Sequence, residues 1–445
     1  MEALLNLAER TGRGLTAALR DAVADGRLAP GTRLPATRDL AADLGLSRGV
    51  VVGAYEQLVA EGRFVARRGA GTVVAENALA APPRTPAETP APEARALRPG
   101  VPDLKSFPRS DWKRAYGAAL DNARHADLDY GDPAGTPRLR EALADYLGRV
   151  RAARCTADDV VVTTGAAQAM SLLAGLTTGP IGVEDPGSAA IRDQIVAHGL
   201  RVRPLTVDGE GADPASIGAA TKVFLTPAHQ FPTGVVLAPR RRAAFVAWAR
   251  RTGGLVIEDD YDAEFRYDRQ PVGCMQGLAP DAVALIGSAS KALAPGLRIG
   301  WLVVPPAWRA RVHAAKAIAD HGGPTLEHLA FAHLLENGGY DRHLRRVRRL
   351  YRQRRDAVVA ALRTHLPHAR IDGVAAGLHL VVELPPDVDD VALAHRAHEA
   401  GLGPIALSTL RHAPGAPGLV LGYATHRPDE LTAAVATVGK LVRRP

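Results

Sequence analysis

The stretch GSASKALAPGLRIGW, residues 287–301, sets one lysine, Lys291, among small residues where a strand-like run passes into a loop. A lysine amine held near a carbonyl and partly stripped of water forms a Schiff base. Ser288 and Ser290 stand just before it, and Arg298 follows seven residues later, a set of donors suited to an anion. A second stretch, IEDDYDAEF (257–265), closes another apolar run with Asp259 and Tyr261. A third, TTGAAQ (163–168), turns at Gly165 and opens a helix at Ala166 and Ala167, whose first amides also favour an anion.

These groups match the needs of pyridoxal 5′-phosphate (PLP). Asp259 can keep its pyridine nitrogen protonated, which makes the ring an electron sink, and Tyr261 can bond its phenolic oxygen. Ser288, Ser290, Arg298 and the 163–168 turn can hold its phosphate. Each signal alone is usually structural, since most lysines after strands are solvated and most Asp-Asp pairs are caps. Together they end successive apolar runs of one domain, where ligands of such sheets bind. Those runs, VVVTTG, GPIGVED, TKVFLTP, GGLVIEDDY, AVALIGSASK and IGWLVVP, alternate with helical patterns and predict a doubly wound, mainly parallel sheet.

The first 75 residues are of another kind. TAALRDAVADGRL (16–28), TRDLAADLGL and SRGVVVGAYEQLVAEG read as three helices, and FVARRGAGTVVA as a β-hairpin, which makes a winged helix-turn-helix. The second helix of such a unit enters the major groove. This places Ser47, Arg48 and Gly49 near base edges, Arg38 at the backbone, and Arg67, Arg68 and Gly69 on the wing. Arg48 suits a guanine or a phosphate equally well. Ten arginines face eight acids over residues 1–75, so position carries this reading and net charge does not. Residues 76–99 hold six prolines and read as an extended linker, leaving 100–445 for the α/β domain.

The totals agree. A chain of 445 residues, 47% hydrophobic and 23% charged, is globular and suits two or three domains. Two cysteines, Cys155 and Cys274, without CxxC or Cys/His clusters, argue against a disulfide framework and a structural metal, and for a reducing cytoplasm. The N-terminus has no apolar core of a signal peptide. The uncharged run 160–183 carries four glycines and four threonines, which suits a buried strand, turn and helix better than a membrane span. A net charge of +8 permits nucleic-acid binding without demanding it.

LPATRDLAADLGLSR and AYEQLVAEG resemble the GntR-type winged helix, with Gly49 and Val50 where the family often has a hydroxyl-bearing pair. From about residue 97 on, YGDPAGTPRLREALADYL, TPAHQFPTG, EDDYDAEFRYD, SASKALAPGLRIGW and LVLGYA resemble fold-type I aminotransferases, with a small C-terminal subdomain. Together the two resemble the MocR/GabR-type regulators. The resemblance implies Lys291 as the Schiff-base lysine, Asp259 and Tyr261 on the ring, and Ser288, Ser290 and Arg298 at the phosphate. It also implies His229 near the ring, Tyr130 at a partner subunit's phosphate, and a homodimer on double-stranded promoter DNA.

Three positions depart from the pattern: Ser188 for a stacking tyrosine, Ala167 for a glutamine, and Val420 for the arginine that grips a substrate carboxylate. The expectation is therefore a regulator that senses PLP itself, an amine or an amino acid at Lys291. The alternative is an active aminotransferase with an appended interaction domain. The run YDRHLRRVRRLYRQRRD (340–356), with eight arginines, reads as an exposed helix with ion pairs across a dimer, or as an auxiliary DNA face.

Overall fold

The computed structural model describes residues 5, 7, 9–67, 71–76, 95–267, 272–373 and 375–443. Arg68 and Gly69 and most of the expected linker lie outside the described residues. The chain divides into two compact units, Met1–Pro92 and Glu93–Pro445.

The first unit is three helices, α1 (Gly12–Ala24), α2 (Thr37–Leu44) and α3 (Arg48–Ala60), followed by the antiparallel pair β1 (Phe64–Arg67) and β2 (Gly71–Val74). Helix α1 starts four residues before its apolar spacing suggests, because the Thr11 hydroxyl accepts from the Gly14 amide and caps it. Gly45, at φ 63°, ends α2 in the left-handed region, and the Ser47 hydroxyl caps α3 through the Val50 amide. Leu15, Leu19, Leu40, Val51, Leu58 and Phe64 close a core beneath the hairpin.

The second unit is an α/β fold. Helices α4 (Arg109–Asn122) and α5 (Pro137–Arg151) precede β3 (Val160–Thr163). Then come α6 (Ala166–Gly175), β4 (Ile181–Asp185), α7 (Ala189–Ala197), β5 (Val202–Asp208), β6 (Gly211–Ala212) and β7 (Lys222–Leu225). Helix α8 (Pro239–Thr252) leads to β8 (Leu255–Asp259), β9 (Val283–Ser288) and β10 (Gly300–Val303). These strands form one sheet in the order β3-β10-β9-β8-β7-β4-β5-β6. The pairs β5-β4-β7-β8-β9 are parallel, whereas β10 runs antiparallel to both β3 and β9. The apolar run of β10 does not reveal its direction; the short return from β9 through the Lys291 loop requires it.

After α9 (Arg309–Asp320) and α10 (Thr325–Glu336), the 27-residue helix α11 (Gly339–His365) leads into a smaller antiparallel sheet. That sheet contains β11 (Arg370–Asp372), β12 (His379–Glu383), β13 (Ile405–Ala406) and β14 (Gly418–Gly422), with helices α12 (Asp390–Glu399) and α13 (Pro428–Val442). Helix α11 buries Tyr340, Leu344, Val347, Tyr351 and Val358 against the main core. No helix among the described residues is long and apolar enough to cross a membrane.

A buried ion pair ties the entry of the unit to its sheet. Arg151, 1% exposed at the end of α5, meets both oxygens of Asp260 at 2.6 and 2.9 Å and also donates to the Val272 carbonyl. Removing one partner of such a pair strands a charge and costs about 3–5 kcal/mol. Arg151→Met is expected to lower the stability of this unit by that amount in chemical denaturation; a loss under ~1 kcal/mol would show that solvent reaches Asp260.

Candidate functional site

The carboxyl ends of β3, β4, β7, β8 and β9 open onto a cavity of about 400 Å³, which is lined by Gly165, Ala166, Ala167, Asp259, Tyr261, Ser288, Ser290, Lys291 and Arg298. Nine residues singled out from sequence thus meet in one place. Gly165 precedes α6 at φ 127°, and a side chain there would press on the Arg298 guanidinium at 3.3 Å. The glycine lets the cation and the first amides of α6 converge, a geometry suited to phosphate. Ser288 is the last residue of β9, and Arg298 holds a left-handed turn at φ 53°.

Lys291 Nζ donates to the Gly100 carbonyl at 2.5 Å. Burial pushes its ammonium below the ordinary lysine range, and the charges of Asp259 and Asp262 oppose that. Asp259 shows the converse. Burial first, then the charge of Asp260, pushes its carboxyl up to about 7, against which Lys291 acts in the other direction. Its Oδ1 is buried without a hydrogen-bond partner among the described residues. A buried acceptor left bare is costly, so one beside a cavity marks the place of a further donor. A protonated pyridine nitrogen is such a donor, and the residues present fit PLP.

His229 lies behind Tyr261, 3% exposed, with ring centroids 6.2 Å apart. Its Nδ1 is 3.0 Å from Asp262 Oδ2 and 3.1 Å from the Tyr261 hydroxyl. A carboxylate only accepts, so Nδ1 carries the proton toward Asp262 and Tyr261 keeps its own O–H for another acceptor. Asp262 belongs to the acidic stretch 257–265, but nothing local sets it apart from its neighbours. Sequence reasoning misses His379, on β12, altogether, for a lone histidine in a strand carries no local signal. It lies 5.2 Å from His229, ring to ring, and Nε2 donates to the Pro232 carbonyl at 3.1 Å. Burial pushes its pKa down to about 4, so it is neutral at pH 7. The donor atoms of His229, Asp262 and His379 lie within 4.8 Å of one another, and hydrogen bonds already account for the orientation of both rings.

The three departures have structural roles. The Ser188 hydroxyl caps α7 through the Ile191 amide, so it is a helix start where a ring would stack. Ala167 lines the cavity with a methyl group, while the next residue, Gln168, bridges the Thr164 amide and Asp320. Val420 is fully buried in an apolar cluster with Val381, Leu407 and Leu410, and Phe231 packs against it. Nearby Arg192 donates to the carbonyls of Leu410 and Thr409. Of the side chains lining the cavity, Lys291 and Arg298 are the only Lys or Arg among the described residues, and neither stands at the Val420 cluster.

Tyr130 is 89% exposed and lines a separate surface cleft with Asp127 and His328; it does not enter the cavity of its own chain. In the first unit Arg38, Ser47, Arg48, Gly49 and Arg67 are all exposed. Ser47, Arg48 and Gly49 sit together at the start of α3.

Comparison with known proteins supports both halves. Residues 11–74 match the family described as bacterial regulatory proteins, gntR family, and residues 103–402 match aminotransferase class I and II. The chain is 34% identical to the HTH-type pyridoxine biosynthesis transcriptional regulator PdxR of Corynebacterium glutamicum, across 96% of this chain and 95% of that one. It is 33% identical to the probable rhizopine catabolism regulatory protein MocR of Rhizobium meliloti, across 93% and 90%. Among solved structures it resembles kynurenine aminotransferase of Pyrococcus horikoshii in complex with PMP, at TM-score 0.72 and 24% identity, over 78% of this chain and 90% of that one. With the relatives aligned through the winged helix and the α/β unit alike, the chain belongs to the MocR/GabR-type transcription regulators, in which a GntR winged helix precedes an aminotransferase-like domain.

Proposed function

We propose that this regulator binds PLP in the cavity around Lys291 and that cofactor occupancy is the signal its winged helix reports on promoter DNA. The buried Oδ1 of Asp259 carries the reading, since it is an acceptor that no hydrogen bond among the described residues satisfies. Lys291 would bind the aldehyde carbon, Asp259 the ring nitrogen, Tyr261 the phenolic oxygen, and Ser288, Ser290, Arg298 and the α6 amides the phosphate. When bound, PLP supplies an electron sink and a carbonyl for amines. Burial already loosens the hold of Lys291 on its proton, which favours its role as nucleophile. His229, held by Asp262, packs behind Tyr261.

PLP itself is favoured as the effector over an amino acid. The apolar cluster at Val420 contains no cation among the described residues, the nearby Arg192 is engaged by the Leu410 and Thr409 carbonyls, and buried valines reject a carboxylate. The pyridoxine biosynthesis role named for the Corynebacterium relative points the same way. The effector would act on a homodimer by binding one arrangement of its winged helices more tightly than the other. An active aminotransferase is the second reading, because Lys291 and Asp259 leave half of a transamination within reach; the absent clamp weighs against it.

Three outcomes test the proposal. Purified protein titrated with PLP is expected to gain a visible absorbance band that Lys291→Ala abolishes and borohydride removes. Footprinting of the chain's own promoter region is expected to change with PLP; protection that is absent, or indifferent to PLP, refutes the regulatory reading. Steady turnover of an amino donor and keto acid, lost in Lys291→Ala, would establish the enzyme instead.

Asp259 makes a further prediction. Its folded pKa, about 7, lies above the unfolded value of 3.8, so ionising it in the cofactor-free protein costs stability as pH rises between those values. Asp259→Asn is expected to flatten that fall, so that without PLP the variant loses less stability than the parent between about pH 4 and 7. The same variant is expected to bind PLP at least ~10-fold more weakly, given the roughly 1.4 kcal/mol that a tenfold change represents. Parallel pH profiles for the two proteins would show Asp259 to be solvated.

A further inference from the structure

Helix α11 carries a ladder of exposed cations that the cavity does not use. Three of the eight arginines in 340–356 have structural duties: Arg354 is buried against Asp103 at 2.9 Å, Arg348 donates to the Glu264 carbonyl, and Arg355 lies 3.6 Å from Asp356. The other five, Arg342, Arg345, Arg346, Arg349 and Arg352, are exposed and recur at three- and four-residue steps along one face.

Arg342 and Arg346 each give one donor to a carbonyl, of Asn337 and Ser106, and keep their charge. Arg345, Arg349 and Arg352 have no ion pair or hydrogen bond among the described residues. The nearest acids along the helix are taken, Asp341 by Arg149 at 2.8 Å and Asp356 by Arg355. Lys105, exposed beside the Ser106 that receives Arg346, widens the patch.

Like charges at these spacings repel and weaken a helix. Here they lie on the solvent face of a helix whose other side is anchored in the core, so packing carries a repulsion that a polyanion would relieve. Ten residues of helix span about 15 Å, the axial length of roughly four nucleotides of one DNA strand. Guanidinium groups pair with phosphates in bidentate fashion, and a row of them follows a backbone without reading sequence.

We propose that this face of α11 is a second, sequence-independent contact for duplex DNA flanking the site read by the winged helix. It rests on the chain binding DNA at all, and it commits to the phosphate backbone over the acidic surface of a second copy. Contact there would lengthen the footprint beyond the bases that the winged helix covers and raise the salt dependence of binding.

The test uses the full-length protein and a promoter fragment of about 60 base pairs, six turns of duplex at roughly 10 base pairs per turn. Affinity of the parent and of the triple variant Arg345→Ala/Arg349→Ala/Arg352→Ala is measured across a salt series. For each phosphate that the variant no longer neutralises, the slope of log affinity against log salt is expected to fall by about 0.9, up to nearly 3 for the three. The footprint should also shorten, while the PLP absorbance band stays at the parental value and the melting temperature does not fall, since removing like charges relieves repulsion along the helix. An unchanged slope and footprint overturn the proposal. So does a variant whose slope is unchanged while sedimentation shows weakened self-association, since the ladder then serves a second copy. A parent protein that binds no promoter fragment fails the regulator reading itself, which separates the two failures; Arg48→Ala, at the start of α3, is expected to weaken binding while leaving the flanking part of the footprint in place.

Discussion

The grip of Arg151 on Asp260 decides which way an acidic strand end faces. Side chains alternate across a strand, so in the run 257–260 the even and odd residues point to opposite sides. Arg151 holds Asp260 bidentately, and the amides of Met275 and Gln276 hold Glu258 at 3.0 Å. Both even positions are thereby pinned, and Asp259 is left for the cavity with an oxygen unpaired. Without that division three adjacent carboxylates would compete for one cation. With it, two are satisfied by the fold and one keeps an oxygen without a partner among the described residues.

The ligand end of the sheet follows from the same economy of charge. The cavity concentrates its cations, Lys291 and Arg298, where an aldehyde and a phosphate would lie, and Val381, Leu407, Leu410 and Val420 gather in an apolar cluster of their own. An aminotransferase must hold a substrate carboxylate at a fixed angle to react it, and a bidentate arginine is the usual means. Here β13, β14 and Phe231 close that region as a small apolar core. Groups that fit a cofactor line the cavity, and an apolar core stands at Val420 where a bidentate arginine would grip a substrate carboxylate.

Much of this was legible in the chain. Lys291, Asp259, Tyr261, Ser288, Ser290, Arg298 and the Gly165 turn each follow an apolar run, and strands of a parallel sheet bring their carboxyl ends to one edge, so the convergence follows from pattern and topology. The winged helix was equally plain, because Ser47 and Gly45 mark helix ends through local chemistry. His379 was not legible. It reaches the site from β12, more than a hundred residues beyond Asp259, and nothing in its own neighbourhood announces the approach. The antiparallel course of β10 was hidden for a similar reason, as an apolar strand reads alike in both directions.

Residue chemistry and short-range periodicity are properties of the chain, and they determined which groups this protein has for an imine, a phosphate and a DNA groove. They also placed each group at the end of a particular element. Which acid faces the cavity was decided elsewhere, by an arginine 109 residues from its partner. The same holds for the arginines of α11, whose eight members look alike in sequence. Packing of the opposite face, through Tyr340, Leu344, Val347 and Tyr351, separates the three that are drawn toward the fold from the five that stay exposed, two of which still reach carbonyls. Spacing along a chain encodes a face, and burial, which depends on everything packed against that face, gives it its use.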